Sequence, residues 1–292
     1  MNSQETWDSC APEYDITVTR LTGPCIVKLL EEVSLLPVLS STGAIKVIDL
    51  AAGPGILGTL LGNAYFDAGC LEKISVLSTD FSPNMVKIAE QRFVSNNWPS
   101  SQFSARTLNA MDLACVPSDH YTHAFCAFGI MMVPDAAKAL REMFRVLEPS
   151  GTVGITTWNK LGYMPLVSEC LARARMSTTE EENVASDLPV PADWFKTSYV
   201  QKMLEDAGFQ NVQMSIFQSR WLFTNQDECL TEITQSWWIN TMLANANLTD
   251  VQRNKYHQVA YQVLLDMIGK DRDKPFEVPM IAIIAHGKKP SQ

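Results

Sequence analysis

The chain has 292 residues, 46% of them hydrophobic, a formal charge of −9 and a pI near 5.0. That length and apolar content permit a sizeable core, in one large domain or in one domain with a smaller cap. So acidic a surface repels a phosphate backbone, and the pair Lys288-Lys289 is too short to offset it, which argues against a nucleic-acid partner. The seven cysteines are odd in number, scattered and without a C-x-x-C pair, so neither a disulfide framework nor a metal site is indicated. They read as reduced thiols of an intracellular, cytoplasmic protein. No basic-then-apolar segment opens the chain, and no apolar run approaches the about 18 residues that a membrane span needs.

In chain order, residues 1–20 are mostly polar and carry Trp7 and Tyr14. Apolar side chains at helical spacing follow at Leu21, Ile26, Leu29, Leu30 and Val33, and Pro37 is expected to end that helix. Ile45, Val47, Ile48 and Leu50 then form a short apolar run rich in β-branched residues, the pattern of a buried strand. It enters the turn Gly53-Pro54-Gly55 and a helix reaching to about Phe66. Glycine lets a backbone pass close to a ligand, and the helix start supplies outward N–H groups. The spacing Gly53-x-Gly55-x-x-Gly58 fits a dinucleotide fingerprint. Asp49 weighs against that ligand, because a carboxylate at the strand end repels a pyrophosphate and suits a cationic ammonium group.

A second strand, Ile74 to Asp80, also ends in an acid. In doubly wound sheets an acid there reaches ribose, and its two oxygens can accept from both hydroxyls. Ser82-Pro83 starts a helix, with a hydroxyl N-cap and proline at the first position. Phe81 and Met85 flank the same crevice and suit packing on a base. A less distinct third strand, Phe103 to Leu108, leads into Asn109-Ala110-Met111-Asp112. The fourth strand, His123 to Phe128, ends at Gly129, and its Cys126 reads as a small core residue. A helix over Pro134–Leu147 precedes a fifth strand running to Trp158. Glu180-Glu181-Glu182 is a solvated acidic run within a stretch punctuated by Pro165, Pro189 and Pro191. A helix from Thr197 to Ala207, a strand from Val212 to Phe217, a helical region over 226–270 and a last strand from Val278 to Ala285 complete the chain.

The pattern Asp49-x-Ala51-x-Gly53-x-Gly55 resembles the first motif of class I S-adenosylmethionine (SAM) methyltransferases. Thr79-Asp80-Phe81-Ser82-Pro83-Asn84-Met85 resembles the second, Asp-x-Ser-x-x-Met. Leu147-Glu148-Pro149-Ser150-Gly151 is similar to the family's Leu-x-Pro-Gly-Gly hairpin, with Ser150 in place of the usual glycine. The resemblance implies an α/β fold, a doubly wound and mostly parallel seven-stranded sheet with helical inserts forming an acceptor cap. It implies an N-terminal helical lid over residues 1–40 and a SAM-binding core over 41–158. The rest of the sheet then falls in 159–292, with acceptor-binding inserts at 159–196 and 226–270. SAM is the implied cofactor. Asp49 would contact its methionyl end beside Ala51, Gly53 and Gly55, and Asp80 its ribose, with Phe81 and Met85 against adenine. Asp112 would accept from the adenine amino group, with the Met111 backbone at the ring edge. Tyr14 either caps the methionyl end or, with Trp7, only staples the segment to the core. Phe128, Gly129, Met131 and Met132, at the end of the fourth strand, would line the site floor.

His120-Tyr121-Thr122-His123, Phe128-Gly129, Pro134-Asp135, Phe144-Arg145 and Thr157-Trp158 resemble fungal secondary-metabolite methyltransferases, in particular those acting on thiols of gliotoxin-like diketopiperazines. That resemblance implies methyl transfer to a thiol of a small apolar natural product, by in-line displacement with proximity and desolvation as the main catalytic factors. Trp158, Trp194, Trp221, Trp237 and Trp238 suggest a broad apolar pocket for it, and Trp7, Met131, Met132, Trp158, Trp194, Trp237 and Trp238 are the expected substrate contacts. Adjacent Trp237 and Trp238 point about 100° apart on a helix, so at most one faces the ligand. Of the four histidines only His257 is placed to approach an acceptor, and a solvated helix histidine is the other reading. A thiol titrating at about 8–9 needs little help to ionise, which fits the lack of an evident base. The alternatives are an O- or N-methyltransferase of a fungal metabolite, or a SAM-binding protein of this fold that steers a pericyclic or isomerising step. A small molecule is the expected partner, with no membrane and no metal; the oligomeric state stays open.

Overall fold

The computed structural model describes residues 3–37, 44–175, 190–246, 248–269 and 273–291. Glu180-Glu181-Glu182 and Pro189 lie outside the described residues. Two compact units are present, one made of Met1–Asn159, Asp193–Phe217 and Ala282–Gln292, the other of Lys160–Ala192 and Gln218–Ile281.

The first unit opens with α1 (Gln4–Glu32), far earlier than apolar spacing predicts. Ser3 caps it by accepting from the Thr6 amide at 3.3 Å. Its end also differs from expectation. Leu35 N donates to Leu30 O at 2.9 Å and Ser34 N to Glu31 O at 3.0 Å, closing the helix before Pro37. Ser34 takes the left-handed conformation that glycine usually takes in such a closure, at φ 55°.

Next come β1 (Ile45–Leu50) and α2 (Ile56–Asp67), then β2 (Ile74–Asp80) and α3 (Pro83–Ser95), then β3 (Phe103–Thr107). The chain continues through β4 (Tyr121–Ala127), α4 (Ala136–Val146) and β5 (Leu147–Leu161). Val47, Ile48 and Leu50 are fully buried, as a central strand covered on both faces requires. α2 and α3 pack on β2, α3 also on β3, and α1 lies against both helices. Phe93, Trp98 and Phe103 form an aromatic cluster with ring centroids 4.8–6.0 Å apart that fixes α3 on β3.

The second unit begins within β5 and contains α5 (Met164–Arg175). The chain re-enters the first unit for α6 (Thr197–Asp206) and the start of β6 (Gln210–Phe223). The second unit then holds α7 (Gln226–Gln235), α8 (Trp237–Asn245), α9 (Asp250–Ile268) and the start of β7 (Phe276–Lys288). Within it α5 and α7 pack on α9, and buried Tyr256 donates its hydroxyl to Ile233 O at 2.9 Å. Arg173 joins Glu169 and Asp266 across α5 and α9. No described helix is long and apolar enough to cross a membrane.

The seven strands form one sheet in the order β3-β2-β1-β4-β5-β7-β6. β3 through β5 pair in parallel. β7 runs antiparallel to β5, since Lys289 bonds back to Ser150 and Gly151 at one end while Pro279 abuts Gly162 at the other. Ser150 sits in that contact at φ 67°, exposed, doing with an L side chain what the family's glycine does without strain. Ser150→Gly is therefore expected to raise stability by about 1 kcal/mol, read as a higher urea midpoint at unchanged slope.

Candidate active site

Sheet order places β1 between β2 and β4, the point at which successive strands turn to opposite sides. In such sheets the crevice at the carboxyl ends of these strands is where ligands bind. Register brings the ends together: Asp49 lies opposite Ser78 and Phe125, and Leu50 opposite Thr79.

Asp80, at the end of β2, is 6% exposed. Its Oδ2 accepts from the Gly53 amide and its Oδ1 from the Ser82 amide, both at 2.9 Å. One carboxylate thus ties the loop after β1 to the loop after β2. Each oxygen keeps a second lone-pair position. Burial pushes Asp80 above the usual carboxylate range, against the opposing pull of these amides.

Asp49 differs. It is 1% exposed and its Oδ1 is buried without a hydrogen-bond partner. Burial, then the charge of Asp80, raise it well above the usual range. A buried carboxylate oxygen with nothing to accept from is a site for a donor, best a positively charged one. This is what an ammonium-bearing ligand such as SAM requires, so the residues present fit it.

Two non-glycine residues take left-handed backbone here, Ala51 at φ 49° and Phe128 at φ 56°. Strained backbone of this kind collects at functional sites. Phe128 is held by its amide, which donates to Thr156 O at 3.0 Å and to Thr156 Oγ1 at 3.1 Å. Gly129 lets the loops after β1 and β4 approach closely, for a Cβ there would fall 2.6 Å from the Ala51 Cβ.

Around these groups lies a cavity of about 270 Å³, walled by Trp7, Tyr14, Ala51, Gly53, Asp80, Phe81, Met85, Leu108, Asn109, Ala110, Met111, Ala127, Phe128, Gly129, Met132, Val133 and Pro134. A second, of about 30 Å³, shares Tyr14, Ala51, Gly53, Ala127 and Phe128 and is lined also by Asp49. The ionisable side chains on both walls are Asp49, Asp80 and Tyr14, with no lysine or arginine among them. Two buried acids and no lining cation disfavour a pyrophosphate. Among the described residues no group of three or more His, Cys, Asp and Glu is placed to hold a metal.

The structure brings Trp7, Tyr14, Ala51, Gly53, Asp80, Phe81, Met85, Met111, Phe128 and Met132 onto the larger wall and Asp49 onto the smaller. Other expectations need correction. Gly55 lines neither cavity; at φ 78° it starts α2, and a Cβ there would meet the Ala89 Cβ at 2.8 Å, so its smallness serves helix packing. Asp112 is exposed and caps the Ala114 amide at 3.2 Å, while Leu108, Asn109 and Ala110 line the wall instead. Met131 is buried, 6% exposed, and lines neither cavity, whereas Met132 in the same short turn is on the wall. Trp158 is a backing residue, stacked on Phe128 at 4.2 Å. Trp194 is buried in the first unit, its carbonyl accepting from Thr157 at 3.2 Å. In the second unit Trp238 packs with Tyr163 and Trp221, centroids 4.5 and 6.2 Å away, and Trp237 is half-buried. His257 is exposed on α9. Val133 and Pro134 went unmarked as wall residues because an apolar turn after a strand carries no distinguishing signal.

This doubly wound sheet, with acids at the ends of its first two strands and an anionic crevice between them, defines the class of SAM-dependent methyltransferases. The model of the ubiE/COQ5 methyltransferase family matches residues 4–172, and the chain belongs to that family. It is an enzyme, and SAM is its methyl donor. Methyltransferase tpcH of Aspergillus fumigatus is 28% identical over 256 residues, 84% of either chain. The acetylaranotin bis-thiomethyltransferase of Aspergillus terreus is 28% identical over 267 residues, 87% of this chain and 85% of that one. Among solved structures, the YcgJ protein of Bacillus subtilis shares the fold at a TM-score of 0.51 and 15% identity, over 90% of this chain and 98% of that one.

An acid raised in the folded state favours folding while protonated, so that contribution is lost as pH rises from the ordinary carboxylate range, about 4, through the raised value. Ligand-free stability should therefore fall across that window. Asp49→Asn is expected to flatten the slope and to add about 1–3 kcal/mol at neutral pH, by urea unfolding of the ligand-free protein. An unchanged slope would mean that Asp49 has a partner in solution.

Proposed function

We propose that SAM occupies the two adjoining cavities and that the acceptor is a thiol of a small, ring-containing apolar metabolite. Asp49 pairs with the ammonium group in the smaller cavity, and Asp80 accepts from the ribose hydroxyls with its free lone pairs. Phe81, Met85 and Met111 flank the base. Bound SAM supplies a methyl group already activated by a positive sulfur. Phe128, backed by Trp158, fixes one wall beside it, and the enclosing side chains exclude water, which leaves an attacking anion poorly solvated and reactive.

The observation that carries the thiol reading is the wall beyond Phe128. Gly129, Met132, Val133 and Pro134 are apolar and offer no base. Tyr14 is a poor one, because burial pushes its hydroxyl above the ordinary value. A phenol or amine would need proton removal at the site, whereas a thiol with a pKa of about 8.5 ionises unaided. The Aspergillus terreus relative, named for bis-thiomethyl transfer, supports sulfur as the acceptor atom. All seven cysteines are free, which supports a reducing, cytoplasmic setting.

Calorimetry with SAM, and with NAD as control, tests the first half. Asp80→Ala is expected to weaken SAM binding by about 10- to 100-fold, the effect of lost hydrogen bonds to a charged group; unchanged affinity would remove Asp80 from the site. A panel of thiols, phenols and amines followed by product mass tests the second. Thiols should turn over fastest, with a rate that climbs with pH and levels above about 8.5. A phenol or amine that outpaces every thiol overturns the reading.

A further inference from the structure

Pro12 lies inside α1, where it has no N–H to give. Its helical acceptor would be the carbonyl four residues earlier, that of Asp8. That carbonyl is instead taken by Asn84 Nδ2 at 3.0 Å. The Asp8 side chain turns the same way: its Oδ1 accepts from Ser82 Oγ at 2.5 Å and from the Asn84 amide at 3.2 Å. One residue thus offers both its backbone and its side-chain acceptor to the N-terminus of α3. Ser82 serves three contacts at once, its hydroxyl donating to Asp8 and accepting from the Met85 amide while its own amide donates to Asp80. A continuous set of hydrogen bonds therefore runs from Asp8 through Ser82 and Asp80 to Gly53. Trp7, the neighbour of Asp8, and Tyr14, edge-on to Trp7 at 5.4 Å, stand on the cavity wall.

We propose that Asp8 is a positioning residue of the cofactor site, clamping the first turns of α1 to α3 so that Trp7 and Tyr14 are held over bound SAM. The proposal rests on SAM occupying this cavity. The proline is part of the device, because it leaves the Asp8 carbonyl available to α3. Asp8 touches neither cavity wall, so its effect passes through the residues it anchors. The Asn84 contacts of Asp8 are exposed and its Ser82 contact part-buried, so water competes for them more readily than for the buried bond between Asp80 and the Ser82 amide.

The test measures dissociation of the demethylated cofactor by stopped flow, alongside the thermal midpoint of the ligand-free enzyme. Asp8→Ala should release it about tenfold or more faster, since two contacts to a charged acceptor are lost, with little change in the midpoint. Asp8→Asn keeps an acceptor oxygen and should recover much of the slow release. Asn84→Ala, which removes only the donor to the Asp8 carbonyl, should give a smaller acceleration. Wild-type release in Asp8→Ala, or a midpoint loss matching the loss of affinity in all three variants, would overturn the proposal. Failure of the wild-type enzyme to bind SAM in the calorimetry would instead remove the cofactor placement on which it rests.

Discussion

The site depends on a buried carboxylate left unpaired by its own protein. Asp49 sits one residue before the end of β1, 1% exposed, and its Oδ1 finds no partner. Asp80, one strand away, carries the same charge in nearly the same burial but is bonded through both oxygens. The difference sets their roles. A satisfied carboxylate can be structural and still offer lone pairs to hydroxyls. An unsatisfied one holds an unfavourable interaction that only a donor, and best a cation, relieves. The crevice is thereby selective before any ligand shape is considered.

That electrostatic demand is met by a rigid frame. Ala51 and Phe128 hold left-handed backbone where β1 and β4 end, and each conformation is enforced from behind. Thr156 grips the Phe128 amide with two oxygens, and Gly129 admits the Ala51 methyl where any side chain would collide. Trp158 stacks under Phe128 and removes its freedom to turn. Such strain costs about 1–3 kcal/mol per residue and persists only where the surroundings over-determine it. Chemistry that works by alignment needs a wall that does not move, because small misplacements forfeit much of the advantage of proximity.

Much of this was legible in the sequence, and the reason is physical. Asp49, Gly53, Asp80 and Ser82 answer to backbone geometry and charge, which few residue types satisfy, so the pattern is narrow. Strand runs such as Ile45–Leu50 and Ile74–Asp80 were readable because burial favours β-branched and aliphatic side chains such as Val47, Ile48, Ile74 and Val76. The start of α1 was not readable, since Pro12 and a broken apolar spacing disguise a helix whose first turns are tied to α3 through Asp8. Gly55 lies off both cavity walls, and a glycine demanded by a neighbouring Ala89 looks identical in sequence to one demanded by a ligand. The tryptophans are ambiguous for a similar reason: Trp158 and Trp194 are buried apolar bulk, and bulk serves a core as readily as a pocket. Asp112 lies exposed after β3, where it caps the Ala114 amide and lines neither cavity.

The N-terminus of α3 receives two kinds of contact that differ in permanence. Asp80 holds it through the buried Ser82 amide, where breaking the bond would leave a buried acceptor unsatisfied. Asp8 binds it from above with bonds that water can replace at a cost of about 1 kcal/mol each. The same short turn, Ser82 to Met85, therefore takes its contacts from the end of β2 and from α1 together. A ligand that must enter a closed, dry crevice and leave after reaction needs that division. The frame sets where the charges lie, and in the role proposed for Asp8 the weaker, wetter contacts of α1 govern how long the cofactor is held.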